Sequence, residues 1–176
     1  EAFNFLFYFK WLEMFNFYFV IGIDNISLMF LVLTFLLTPL CILISWNSIK
    51  YKYTGFITCL VFITFILFNI FCVLDLLFFY VFFESILIPM FILIGVWGSR
   101  QRKIHAVYQF FFYTLIGSLF MLLGLLVIYS NVQSTDVRVL YSTNFTFYRQ
   151  LILWVSFFLA FCVKVPLFPF HIWLPE

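Results

Sequence analysis

From residue 24 onward the chain alternates long apolar runs with short polar punctuation, and the runs at 24–46, 54–74, 76–97, 107–129 and 150–173 are of similar length. About 20 helical residues cross a hydrocarbon core of about 30 Å, so the pattern predicts about five transmembrane helices. IGIDNISL opens the first run, with Asp24 placed to cap the free amides of a first turn. Pro39 lies inside that run and predicts a bend. WNSIKYKY (46–53) reads as a short loop with Trp and Tyr at the membrane boundary. The second run carries Asn69, and Asp75 marks a tight turn into the third. GSRQRKIHA (98–106) is a basic loop, and 130–149 is the longest polar one. The fifth run meets Pro166 and Pro169, which predict a break near its end. Residues 1–19 are aromatic but interrupted by Asn4, Lys10, Glu13 and Asn16, too broken for a span. They read as an interfacial segment with aromatics at headgroup level. The expectation is an all-α integral membrane protein, a single domain over 1–176.

Composition removes the soluble alternative. The chain is 66% hydrophobic and 9% charged, with a mean hydropathy of +1.19, against about 25% charged in soluble proteins. The net charge of +2 is too small and dispersed to point to nucleic acid. Phe fills 30 of 176 positions. Phe, Tyr, Ile and Asn have A/T-rich codons, which fits an A+T-rich organelle genome; lipid-facing enrichment is the other reading. Cys41, Cys59, Cys72 and Cys162 stand alone in apolar runs and read as small apolar residues. The first residues carry neither a charged n-region nor a small-residue cleavage site.

Charge sets the expected orientation. The loops after the first and third spans share a side and carry Lys50, Lys52, Arg100, Arg102 and Lys103. The opposite side has Arg138 and Arg149, beside Asp75 and Asp136. The positive-inside rule therefore puts the loops at 47–53 and 98–106 on the cytoplasmic or matrix side, and the amino end outside. The same cations are placed to meet anionic lipid, cardiolipin included.

Two charges stand apart because they lie inside spans. Glu84 is the only charged residue from Leu76 through Trp97, and Lys164 sits in FLAFCVKVPLFPFHIW. An isolated charge in hydrocarbon costs several kcal/mol, so each must be paired, neutral or hydrated. By helical rise, Glu84 is roughly 3 Å from the centre of its span and Lys164 roughly 5 Å from the centre of its own, so the two share a depth. At about 7 Å and an effective dielectric of about 20 they would couple by roughly 2–2.5 kcal/mol. Such coupling lets the charge of one decide whether the other holds its proton. Pro166 and Pro169 free backbone carbonyls just beyond Lys164, and broken helices near the midplane are typical of transport sites. His171, just past the break, is placed to relay a proton. A structural anchor is the alternative reading of Glu84 and Lys164, and a packing residue that of His171. His105, in a polar loop, reads as solvated. No set of histidines suits a membrane haem, and no cysteine cluster or nucleotide motif is present. The expectation is no redox centre, no metal site and no cofactor.

IGIDNISL (21–28), FYVFFESILIPMFILIGVWGSRQRKI (79–104), YQFFFYTLIGSLFMLL (108–123) and FCVKVPLFPFHIWLPE (161–176) resemble the antiporter-like membrane subunits of mitochondrial NADH–ubiquinone oxidoreductase, respiratory complex I, in particular the subunit-4 family. The resemblance implies a proton-translocating membrane-arm subunit in the mitochondrial inner membrane, built from inverted repeats of five helices and holding no redox centre. It implies that Glu84 is the family's span-five glutamate, Lys164 its broken-helix lysine, the two forming the switchable pair of a half-channel, and His171 the histidine after the break. The implied partners are other membrane-arm subunits. The family's glycine after Asp24 is Asn25 here. Relative to the family, the chain lacks the spans before the first one here and everything after WLPE, which a second polypeptide would have to supply if the subunit is split. A structural scaffold remnant and a free-standing cation/proton antiporter are the competing functions.

Overall fold

The computed structural model of the chain describes residues 5–12, 17–99 and 101–174. Aromatic and β-branched residues dominate the amino-terminal stretch, and they suit extended backbone, where cross-strand side chains pair. Strands β1 (Phe5–Leu12) and β2 (Phe17–Ile23) form an antiparallel hairpin with Phe7 opposite Ile21 and a register irregularity between Lys10 and Leu12. Tyr8 stacks on Tyr18 with ring centroids 5.2 Å apart. The fold is therefore mostly helical rather than all-α: the aromatic residues pair across strands.

Five spans follow, apolar and long enough to cross a membrane. Helix α1 (Asn25–Ser45) starts at an Asp24 capping box: the Asn25 amide donates to Oδ1 at 2.7 Å, and the Asp24 amide donates to Ser27 Oγ at 2.7 Å. Pro39 lies within α1 without ending it. Helix α2 is Tyr53–Cys72. The third span is α3 (Leu76–Ser85) followed by α4 (Leu87–Trp97), separated by Ile86. Pro89 has no N–H to give the Ser85 carbonyl, which accounts for the interruption. Helix α5 (Lys103–Val132) exceeds the expected 107–129 at both ends, α6 (Val137–Leu140) is one short turn, and α7 (Phe147–Lys164) is the last α-helix.

Each end of the bundle is tied differently. At one end, the Trp97 indole donates to the Tyr51 carbonyl at 2.8 Å, joining the loop before α2 to the end of α4. At the other, the Leu74 amide donates to Val20 O, the Leu76 amide to Thr135 O, and the Val137 amide to Leu74 O, at 2.9–3.0 Å. Phe19 and Trp11 pack on Phe78, so the hairpin sits at this second end, over the start of α3. Val20, Asp75 and Thr135 are at most 1% exposed there. The basic loops thus occupy the end opposite the hairpin.

Candidate functional site

The site begins where α7 stops. Pro166 cannot donate to the Cys162 carbonyl, so the Leu167 amide does so instead, at 2.9 Å. That shift leaves the Val163 carbonyl without its helical donor. The Trp173 indole fills the gap at 3.0 Å, reaching back from a 3-10 turn (Phe170–Trp173). Lys164 is the last residue of α7, where the helix dipole favours a cation.

Depth and direction of Lys164 are set by the contact of α5 with α7. A Cβ at Gly117 would lie 2.9 Å from Val163 Cβ, and one at Gly124 would lie 2.6 Å from Ser156 Oγ. Two glycines, two turns apart, let the helices approach closely, as small residues do in membrane bundles. Val163 is thereby held against α5, and its neighbour Lys164 is directed to α3.

There the Lys164 ammonium donates to the Phe83 carbonyl at 2.7 Å and lies 3.5 Å from the centroid of the Phe83 ring. Glu84, the next residue, is half-buried, and its Oε1 is buried with no hydrogen-bond partner. Ser118 of α5 stands beside the carboxyl. Its hydroxyl, however, donates to the Leu115 carbonyl at 2.8 Å. The Tyr80 side chain, one turn before Glu84, borders the same spot. Lys164 is thus brought to the residue next to Glu84 in the chain, but it rests on the main chain and ring of Phe83, and no ion pair joins it to Glu84.

His171 is elsewhere. It is exposed on the 3-10 turn, with its ring 5.6 Å from that of Phe168, and bonds to neither Glu84 nor Lys164. Pro166 and Pro169 both fall in the non-α segment after Lys164. Among the basic residues, Lys50 and Arg102 are exposed, the Lys52 ammonium lies 5.3 Å from the Tyr51 ring, and Lys103 Nζ donates to the Val96 carbonyl at 3.1 Å, closing the end of α4. Arg100 lies outside the described residues. A cavity of about 290 Å³ opens beside these loops, lined by residues including Gly98, Ser99, Lys103, Phe110 and Trp173. The same Trp173 therefore caps the broken helix and walls the cavity.

Sequence reasoning missed Trp173, Gly117 and Phe83. Trp173 had a usable signal: an indole N–H seven residues after a helix-breaking proline, where freed carbonyls need donors. Gly117 and Gly124 share a helix face by spacing, yet which helix they meet is not encoded locally. The Phe83 carbonyl has no sequence signal, because every residue carries one.

Comparison with known proteins gives consistent results. The family described as NADH:quinone oxidoreductase/Mrp antiporter, transmembrane, matches residues 73–176, and NADH-ubiquinone oxidoreductase chain 4, amino terminus, matches 2–70. The NADH-ubiquinone oxidoreductase chain 4 of Acanthamoeba castellanii is 80% identical over 176 residues, covering 100% of this chain and 35% of the relative. That of Arabidopsis thaliana is 54% identical over 167 residues, covering 95% and 34%. A chain of respiratory complex I from Thermus thermophilus superposes with a TM-score of 0.82 at 30% identity, over 97% of this chain and 36% of that one. The chain spans about a third of the length of the relatives it matches.

Proposed function

This chain belongs to the NADH:quinone oxidoreductase/Mrp antiporter transmembrane family, and from that premise we propose that it is part of a membrane-arm subunit of proton-translocating NADH:ubiquinone oxidoreductase, in which Glu84 and Lys164 form a switchable charge pair. The observation that carries the reading is the Lys164 ammonium held one residue from a buried carboxylate oxygen that has no partner. A buried carboxylate oxygen without a partner is costly, so an approaching cation stabilises it. When Lys164 swings to Glu84, its proton is held; when Glu84 is neutral or otherwise paired, the lysine is free to pass the proton onward. NADH and ubiquinone chemistry belongs to other parts of the assembled enzyme, whose membrane-arm subunits are the partners. The cavity walled by Trp173 supports a hydrated approach to the helix break from the basic-loop end, and His171, exposed on the 3-10 turn after the break, is the relay of this reading.

In this reading the protein is multi-pass in the mitochondrial inner membrane, with the loops at 47–53 and 98–106 facing the matrix. Lys50, Lys52 and Arg102 meet anionic headgroups such as cardiolipin, and the hairpin aromatics lie at the opposite interface. The chain works with the spans its relatives have beyond it, carried on the same polypeptide or a second one.

The test is Lys164→Ala in the assembled enzyme, with proton translocation and NADH oxidation measured together in sealed membranes. Both should fall at least tenfold while assembly is retained. Unchanged turnover and proton-to-electron ratio would sink the reading.

A further inference from the structure

We propose that Phe83 is the second seat of the Lys164 switch: its carbonyl and ring face hold the ammonium whenever the ammonium is not on Glu84. The inference rests on the reading of Lys164 as the mobile charge. A charge that moves needs two places to be, and Glu84 supplies only one. The other must be able to take a cation inside a membrane without neutralising it.

Phe83 meets that requirement in two ways. Its carbonyl accepts from Lys164 Nζ at 2.7 Å, and its ring face lies 3.5 Å from the same atom. The ring quadrupole attracts a cation most where water is excluded. The ring is also held in place. Phe79, one turn earlier, stacks on it at 5.6 Å, and Phe161, one turn before Lys164 on α7, meets it edge-on at 6.0 Å. The seat is thus built from both helices, and its aromatic walls leave the ammonium few other directions. The Phe83 carbonyl carbon is bonded to the Glu84 amide, so the move between the two seats is a change of Lys164 rotamer. Glu84 is the only charged side chain on α3 and α4, so it alone competes with the seat from the third span; Tyr80 and Ser118 border it with hydroxyls.

A neutral seat beside a charged one gives a bistable element. With Glu84 ionised the lysine is drawn to it; with Glu84 neutral the seat wins. Removing the seat traps the lysine on Glu84 and stops the cycle, although both charged residues remain.

The experiment compares Phe83→Leu, Phe83→Met and Phe83→Tyr in the assembled enzyme, with Lys164→Ala alongside, reading complex abundance and proton pumping per complex. The aliphatic variants keep the main-chain carbonyl and the bulk but lose the ring face. Pumping per complex should drop about tenfold in them and return to within about twofold of wild type in Phe83→Tyr, in line with a desolvated cation–π contact. Normal pumping in Phe83→Leu overturns the seat; if Lys164→Ala is inactive in the same series, the Glu84–Lys164 reading survives without it. Normal pumping in Lys164→Ala as well removes both. Should Leu and Met variants fail to assemble while the Tyr variant works, the ring is a packing element, and the proposal is wrong.

Discussion

An ammonium inside a membrane is stable only where donors and acceptors have been arranged in advance, and the surroundings of Lys164 meet that condition. A hydrogen bond with one charged partner is worth about 1.5–3 kcal/mol, and the Phe83 carbonyl supplies one at 2.7 Å. Glu84→Gln is then the informative companion to the lysine variants. It keeps the shape of the side chain and removes its charge, so Lys164 should stay on Phe83, with pumping reduced at least tenfold and assembly intact. Native gels and proton uptake on the same membranes check both halves. A second residue-scale prediction concerns Asp75, outside the spans. Its carboxylate accepts from Thr135 Oγ1 at 2.6 Å and from the amides of Leu77 and Phe78 at 2.9 and 3.2 Å. Burial nevertheless raises its pKa above the usual aspartate range, the charge of Asp136 adding to the effect. The folded state therefore holds a proton on Asp75 at pH values where the unfolded chain has lost it. Stability from this group is present on the acid side and falls as pH rises from the ordinary aspartate value through the raised one. Hydrogen-exchange protection of Leu76 and Val137 should weaken over that window, and Asp75→Asn should flatten the dependence.

At the scale of elements, glycine sets how closely α7 packs on α5. With Val163 Cβ 2.9 Å from where a Gly117 Cβ would be, Gly117→Ala overpacks the contact and should cost about 1–3 kcal/mol. The consequence reaches the site, because Val163 adjoins Lys164. Thermal inactivation of the complex should occur at lower temperature in Gly117→Ala and be restored in part by adding Val163→Ala, which vacates the space. No restoration would mean that α7 is held by other contacts. The break beyond Lys164 follows the same economy. Pro166 frees carbonyls, and Leu167 and Trp173 satisfy those of Cys162 and Val163 as the chain turns away.

For the whole molecule, the issue is which end faces which compartment. The basic loops share one end through Trp97 and Tyr51, while the hairpin and the Asp75–Thr135 knot close the other. Ser48, Ser99 and Ser142 are exposed and sample both ends. Single cysteines at positions 48 and 99 should react with an impermeant thiol reagent from the matrix face, and one at 142 from the opposite face. Labelling of all three from one face would refute the topology. Much of the remaining surface is large apolar side chains, α1 above all, with Ile44 at 78% and Met29 at 75% exposed. Such a surface needs lipid or neighbouring spans to cover it.

Sequence by itself determined the spans, because about 20 apolar residues between polar punctuation have one low-energy placement in a bilayer. It also isolated Glu84 and Lys164, since charge in such a run is conspicuous, and it marked the break after Lys164 through Pro166. Caps such as Asp24 were legible because their partners are within four residues. What only the tertiary structure decided are contacts made across helices: that Gly117 meets Val163, that Trp173 closes Val163, and that Lys164 lands on Phe83 beside Glu84. The amino-terminal hairpin belongs with these, since an aromatic segment at an interface suits helix or strand, and the pairing of β1 with β2 decided for strand. Periodicity fixes which residues share a helix face; which other face they meet depends on packing that no local window contains.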